Sequence, residues 1–399
     1  MHKVDDPNDG FTKKIAQYLV VIIVILPFFF VYLKYQDQEI GTQTIKQDSK
    51  LDTVIKTNKD NVATINFSDV RAMKISHDEK RLYVYGHDRS GIAIIDIENM
   101  DNIKLLSSYL YPDDKNHVNE VDMVETKDGE KLYAVSPKLG LYCFDISDLN
   151  LLKLEKIIKI PRGLKISLSE DETKAYIRND RGMIIVDLSL QIPTVIGEYI
   201  SSESIAVPQP SGGDYYPIDL GDIATITDTR VLLLDRKGLH LLDVSDPKKI
   251  EALDSISLLG RAKEIVVAPN KQRIYIATTS NYIESYDIGN LYNIKPLGGY
   301  TTLGNVSNIK IIKNGTKIIV ANTKAQSGSS KPKIINTNID VVDVSYGLDP
   351  KLLKQYKTNE YLYALELSAD EKSLFTCFPD QNKYAYKSYV SVRKVELQP

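Results

Sequence analysis

The sequence predicts an all-β chain, a seven-bladed β-propeller of four-stranded blades preceded by one transmembrane helix. Three observations carry the prediction. A short apolar strand closes on an aspartate, or on a residue in its place, seven times along the chain. A polar turn followed by another apolar strand stands upstream of each copy. No apolar period of 3.6 residues separates the copies, so strands and turns account for the region.

The clearest closing strands are Gly91-Ile-Ala-Ile-Ile-Asp96, Gly140-Leu-Tyr-Cys-Phe-Asp145, Gly182-Met-Ile-Ile-Val-Asp187 and Gly238-Leu-His-Leu-Leu-Asp243. Looser copies end at Asp287, Asp343 and Lys394, giving intervals of 49, 42, 56, 44, 56 and 51 residues. The upstream element runs Ser76-His-Asp-Glu-Lys-Arg-Leu-Tyr83 or Ser169-Glu-Asp-Glu-Thr-Lys-Ala-Tyr176, and is shortened to Thr227-Asp-Thr-Arg in the fourth copy. Asp, Asn and Gly suit such turns because they tolerate positive φ or bond their own backbone. An apolar segment before each turn (Val70–Ile75) and another after each aspartate (Thr194–Tyr199) complete four strands per unit. Four-stranded units at this spacing are propeller blades.

The seventh copy reaches Lys394 without an outer strand of its own. Residues 61–67 (Asn-Val-Ala-Thr-Ile-Asn-Phe) have the composition of the missing piece, and pairing them with the last copy would close the ring and cover an exposed edge. The expected organisation is a tail over 1–14, a transmembrane helix over 15–33, a flexible polar linker over 34–60 and the propeller over 61–399.

These strands resemble the LVIVD-repeat propellers, through Ile-Ile-Val-Asp187 and Leu-Leu-Asp243-Val244-Ser245-Asp246-Pro247. The Ser-x-Asp-x-x-x-Leu-Tyr turn is similar to that of the YVTN-type surface propellers. The resemblance spans roughly residues 61–397 and implies fold far more than chemistry, because propellers host unrelated functions. Lys394 departs from the pattern where aspartate is expected. The repeated aspartate is expected to cap the turn into the outer strand by accepting backbone N–H groups.

Residues Ile15–Leu33 form 19 uncharged residues flanked by Lys13, Lys14 and Lys34. At 1.5 Å per residue this run matches a hydrocarbon core of about 30 Å. Bulky Tyr32 and Tyr35 follow instead of a small-x-small cleavage site, so it reads as an uncleaved signal anchor. The immediate flanks, Lys13 and Lys14 against Lys34, lean to a propeller on the periplasmic or extracellular side of the plasma membrane, while a wider window holds three lysines on each side.

Composition excludes several classes. A formal net charge of −3 with interspersed lysines gives no basic stripe for nucleic acid. Five histidines show no ligand spacing, so neither a metal nor another cofactor is expected. No Gly-x-Ser-x-Gly elbow or phosphate-binding glycine loop occurs. The absence of tryptophan counts against quinoprotein propellers. Cys143 and Cys377 fall in the second and seventh copies, a separation that does not suit a disulfide.

Long connections at 110–118, 201–219, 322–337 and 379–387 all belong to one end of the ring, while the opposite turns stay short. Loops concentrated on one face are where repeat scaffolds bind. Counting back from each turn places Asp69, Asn119, Arg162, Asp219, Arg261, Asn305 and Tyr361 at the channel mouth. Asp122, Lys165, Asp222, Glu264 and Asn308 follow deeper. Tyr215 and Tyr216 are amphipathic anchors in one of the loops. The expected function is a membrane-anchored, non-catalytic scaffold that binds a protein or a small polar ligand on its loop-rich face. The alternative is a lactonase- or hydrolase-like propeller enzyme with its site at the channel mouth.

Overall fold

In the computed structural model, every strand that closes on the repeated position is the third strand of its sheet. Local chemistry at both of its ends explains why. At Gly140 φ is +99° and a Cβ would lie 2.3 Å from Ile158 O, on the outer strand. Only glycine lets the third and fourth strands meet so closely there. At the other end Asp145, Asp187, Asp243 and Asp343 accept the backbone N–H two residues on, at 2.9–3.0 Å. Serine hydroxyls, those of Ser147, Ser245 and Ser345, together with that N–H, hold the carboxyls of Asp145, Asp243 and Asp343 below the usual carboxylate range. The repeated aspartate is therefore a turn cap, as its sequence context indicates.

The turn between first and second strands is as regular. Ser76 Oγ donates to Asp78 and Ser169 Oγ to Asp171, both at 2.6 Å, and each hydroxyl accepts the N–H that opens the second strand. The third turn position is left-handed, with φ of 60° at Glu79, 57° at Glu172 and 71° at Gly129.

The structure describes residues 56–396 except 59–61, 66–69, 87–90, 100–102, 111–121, 138–139, 202–220, 236–237, 313, 327–332, 348, 359–361, 363, 369–370, 372 and 380–389. Blades 1 to 6 occupy 70–110, 122–158, 163–200, 223–257, 262–301 and 305–358, each an antiparallel sheet of four strands. A closing sheet joins the two ends of this region in the order Lys56–Asn58, Val62–Ile65, Val390–Glu396, Ser373–Pro379 and Ala364–Leu367. Val62 pairs with Arg393 and Ile65 with Val390. The first strands of successive sheets touch in order, and Ala364–Leu367 returns to Val70–Ile75, so they ring one axis.

The expectation of seven four-stranded blades is corrected on this point. Among the described residues six blades are four-stranded, and the sheet that joins the two ends has five strands. The extra strand, Lys56–Asn58, lies within the stretch expected to be a linker and pairs with Val62–Thr64. Val62–Ile65 would otherwise present an unpaired edge. The transmembrane helix expected over 15–33 lies outside the described residues; among the described residues no helix is long and apolar enough to cross a membrane. The segment 322–337, expected as a loop, is largely strand, since blade 6 extends its hairpin through Lys317–Gln326 and Lys333–Asp343.

Core side chains sit between sheets. Tyr83, Tyr85, Ile92 and Ile94 of blade 1 pack against Met123, Leu132, Tyr142 and Phe144 of blade 2. Tyr176, Met183 and Ile185 meet Ile223, Val231 and Leu233 across the next-but-one seam. Cys143 is buried in the seam of blades 2 and 3, where burial pushes its thiol up to about 12. The shortened turn of blade 4 also has a structural consequence. Lys271 of blade 5 reaches past it to an ion pair with Glu170 of blade 3, and its Nζ donates to Ile226 O at 2.7 Å.

Candidate functional site

The first strand of every blade is an edge strand, so part of its backbone N–H groups face the axis without a ladder partner. Acidic side chains of the preceding blade take them. Asp122 accepts from Ile166 N–H, Asp222 from Ile265 N–H and Glu264 from Ile309 N–H, each at 3.0 Å. Blade 3 carries Lys165 at the equivalent position and cannot accept, and Ile223 N–H turns instead to Asp222 Oδ1 at 2.9 Å. These carboxylates thus staple neighbouring blades around the axis.

Together they surround a cavity of about 360 Å³, lined by Lys74, Asp122, Lys165, Asp222, Glu264 and Lys310 with Val124, Ala224 and Val266. Strand alternation explains the set. The position four residues before the buried residue that starts each turn (Ser76, Thr126, Ser169) carries Asp122, Lys165, Asp222 and Glu264. The position two residues later carries Lys74, Lys310 and Glu366 and faces the same way. Lys310 Nζ lies 3.0 Å from Glu366 and 4.0 Å from Glu264. Burial alone would pull its ammonium down, but Glu366 and Glu264 outweigh it and hold Lys310 above the usual lysine range.

Asp222 is the perturbed acid. Burial first, then Glu264 and Asp122, push its carboxyl up to about 6, against Lys165 and the Ile265 N–H. A carboxyl raised on folding stabilises the fold while protonated, and that contribution is lost as pH rises through about 6. Between about pH 4 and pH 8, Asp222→Asn should therefore gain on the native chain by roughly 1–2 kcal/mol, after discounting for water in the cavity. Paired urea titrations at the two pH values measure it; a difference that does not change with pH contradicts the assignment.

The sequence-derived mouth residues fall into two groups. Asp69, Asn119, Asp219, Tyr361, Tyr215 and Tyr216 lie outside the described residues. Arg162, with φ of 49°, pairs with Asp180 at 2.5 Å across blade 3. Arg261 and Asn305 are exposed at equivalent places before blades 5 and 6. Of the deeper residues, Asp122, Lys165, Asp222 and Glu264 line the cavity. Asn308 does not, and its Oδ1 is buried without a partner.

The links bearing Arg261 and Asn305 share a feature beyond their polar side chains. Leu259-Gly260-Arg261 and Leu303-Gly304-Asn305 each present a leucine, 80 % and 64 % exposed, one residue from the glycine. Close approach pins both links: a Cβ at Gly260 would lie 2.3 Å from Ser280 Oγ, and one at Gly304 2.4 Å from Thr323 O. Buried Glu284 adds a bond from Leu259 N–H at 2.9 Å. The repeated Leu-Gly was the available signal.

A serine–histidine–aspartate relay stands apart from the channel. His240 contacts Ser255 Oγ through Nδ1 at 2.9 Å and Asp235 Oδ2 through Nε2 at 2.8 Å. Ser201, at the end of blade 3, also donates to Asp235 Oδ2 at 2.8 Å. Acyl transfer would need backbone N–H groups beside the serine to hold an oxyanion. The N–H of Ser255 is already bonded to Asp254 Oδ1 at 2.8 Å. The relay ties blade 3 to blade 4.

No family model matches the chain, and no curated protein matches it. Solved structures do. The RRP9 WD40 repeats align with a TM-score of 0.62 at 8% identity, covering 86% of this chain and 99% of that one. The β-propeller domain of Myceliophteria thermophila Cps50 (Swd1) aligns at 0.60 with 9% identity, covering 84% and 99%. The C-terminal WD40 domain of Sif2 aligns at 0.55 with 11% identity, covering 85% and 99%. At these identities the likeness is one of fold: the chain is a β-propeller.

Proposed function

We propose that this protein is a non-catalytic binding scaffold that docks a protein partner on the loop-rich end of its ring. The observation that carries the reading is the pair of adjacent links, each offering an exposed leucine beside an exposed polar side chain at the channel mouth. A rigid apolar anchor next to a hydrogen-bonding group is the composition of an interface centre. The WD40 domains among the similar structures fit a scaffold role. The LVIVD-like strands and the apolar run at 15–33 support a finer version. In it, the propeller is tethered to the plasma membrane and works on the periplasmic or extracellular side.

Leu259→Glu and Leu303→Glu should each weaken partner capture from native membranes about tenfold or more. Their melting temperatures should stay within a degree or two, because exposed changes seldom exceed about 0.5 kcal/mol. Undiminished capture by both variants would contradict the proposal.

A further inference from the structure

The channel cavity contains one charged group that the fold leaves unused. Lys74 lines it from blade 1, and its ammonium, among the described residues, makes no hydrogen bond or ion pair. The other ammoniums are engaged, Lys310 by Glu366 and Glu264, and Lys165 by the field of Asp222. On the acid side, Asp122 Oδ2 accepts from the Ile166 N–H, and its Oδ1 has no hydrogen bond among the described residues. Asp122 stands in the adjacent blade, one step nearer the loop-rich end than Lys74.

We propose that the channel binds a small amino acid or similar zwitterion, its carboxylate on Lys74 and its ammonium on Asp122. Charge decides among ligand classes. Asp122, Asp222, Glu264 and Glu366 oppose Lys74, Lys165 and Lys310, four carboxylates to three ammoniums. A simple anion would satisfy Lys74 but add negative charge beside these acids. A simple cation would suit the acids and leave Lys74 without a partner. A zwitterion answers both without altering the balance, and charge-assisted bonds at each end would fix its direction. The volume of about 360 Å³ lies at the small end for ligand pockets. Val124, Ala224 and Val266 offer apolar wall for a short aliphatic side chain.

Calorimetric titration of the full-length protein with free amino acids, from glycine to leucine, tests this, with acetate and methylammonium as half-ligands. At least one small amino acid should bind, with each half-ligand weaker by about tenfold or more. Lys74→Gln should lose about tenfold in affinity while the ligand-free melting temperature holds, since Lys74 has no partner to forfeit, and Lys74→Arg should retain binding. Three results overturn the proposal: no binding of any amino acid to the folded protein, acetate binding as tightly as the amino acids, or full affinity in Lys74→Gln.

Discussion

Lys310→Met should destabilise the ring by roughly 3–5 kcal/mol, the largest effect expected of any single side chain in the channel. Methionine nearly preserves the volume, so packing is not the cause. The variant leaves Glu366 and Glu264 facing one another without the ammonium that stands 3.0 and 4.0 Å away. Glu366 is itself buried, so its charge has little water to turn to. Desolvated carboxylates without a partner carry the full cost of burial. In a Glu366→Gln background the same substitution should cost appreciably less, and the difference measures the coupling. Urea unfolding of the four proteins supplies the cycle. A loss below about 1 kcal/mol in the single variant would mean that channel water, not Lys310, stabilises these acids.

A chain beginning at Asp69 should lose the monomeric fold. Without Val62–Ile65 the strand Val390–Glu396 becomes the edge of its sheet, with a row of unpaired N–H and C=O groups open to other chains. The sheet also loses Lys56–Asn58 and falls from five strands to three. Size-exclusion chromatography should show association, and the melting temperature of any remaining monomer should fall by several degrees. A fragment that stays monomeric with an unchanged melting temperature would show that ring closure contributes little.

Features set by neighbours in sequence were legible before the structure. The glycine and aspartate that bound each third strand act through their own backbone and the next few residues, so pattern alone identifies them. The channel was half legible. Counting back from each turn reaches Asp122, Lys165, Asp222 and Glu264, and Lys74, Lys310 and Glu366 lie one alternation away on the same face. Continuing the period of two would have found them. The strand Lys56–Asn58 was not legible, because Lys-Thr-Asn has no strand pattern and pairs only where Val62–Ile65 leaves an edge. Nor was the relay of Asp235, His240 and Ser255, whose members meet only through the ladder that sets His240 opposite Ser255. The exposure of Leu259 and Leu303 depends on what the ring leaves uncovered, which no local pattern encodes.

Photo-crosslinking from single positions in the native cell tests the working end most directly. Leu259 and Leu303 lie at the loop-rich end, while Tyr292 and Tyr346, 78 % and 77 % exposed, stand on third-to-fourth-strand turns at the other. All four are large, apolar and open to solvent, so they differ chiefly in the end they occupy. A photoreactive residue at 259 or 303 should capture one discrete partner, and the same residue at 292 or 346 should not. Capture from 292 or 346 with none from 259 or 303 would place the binding surface on the opposite end and contradict the account.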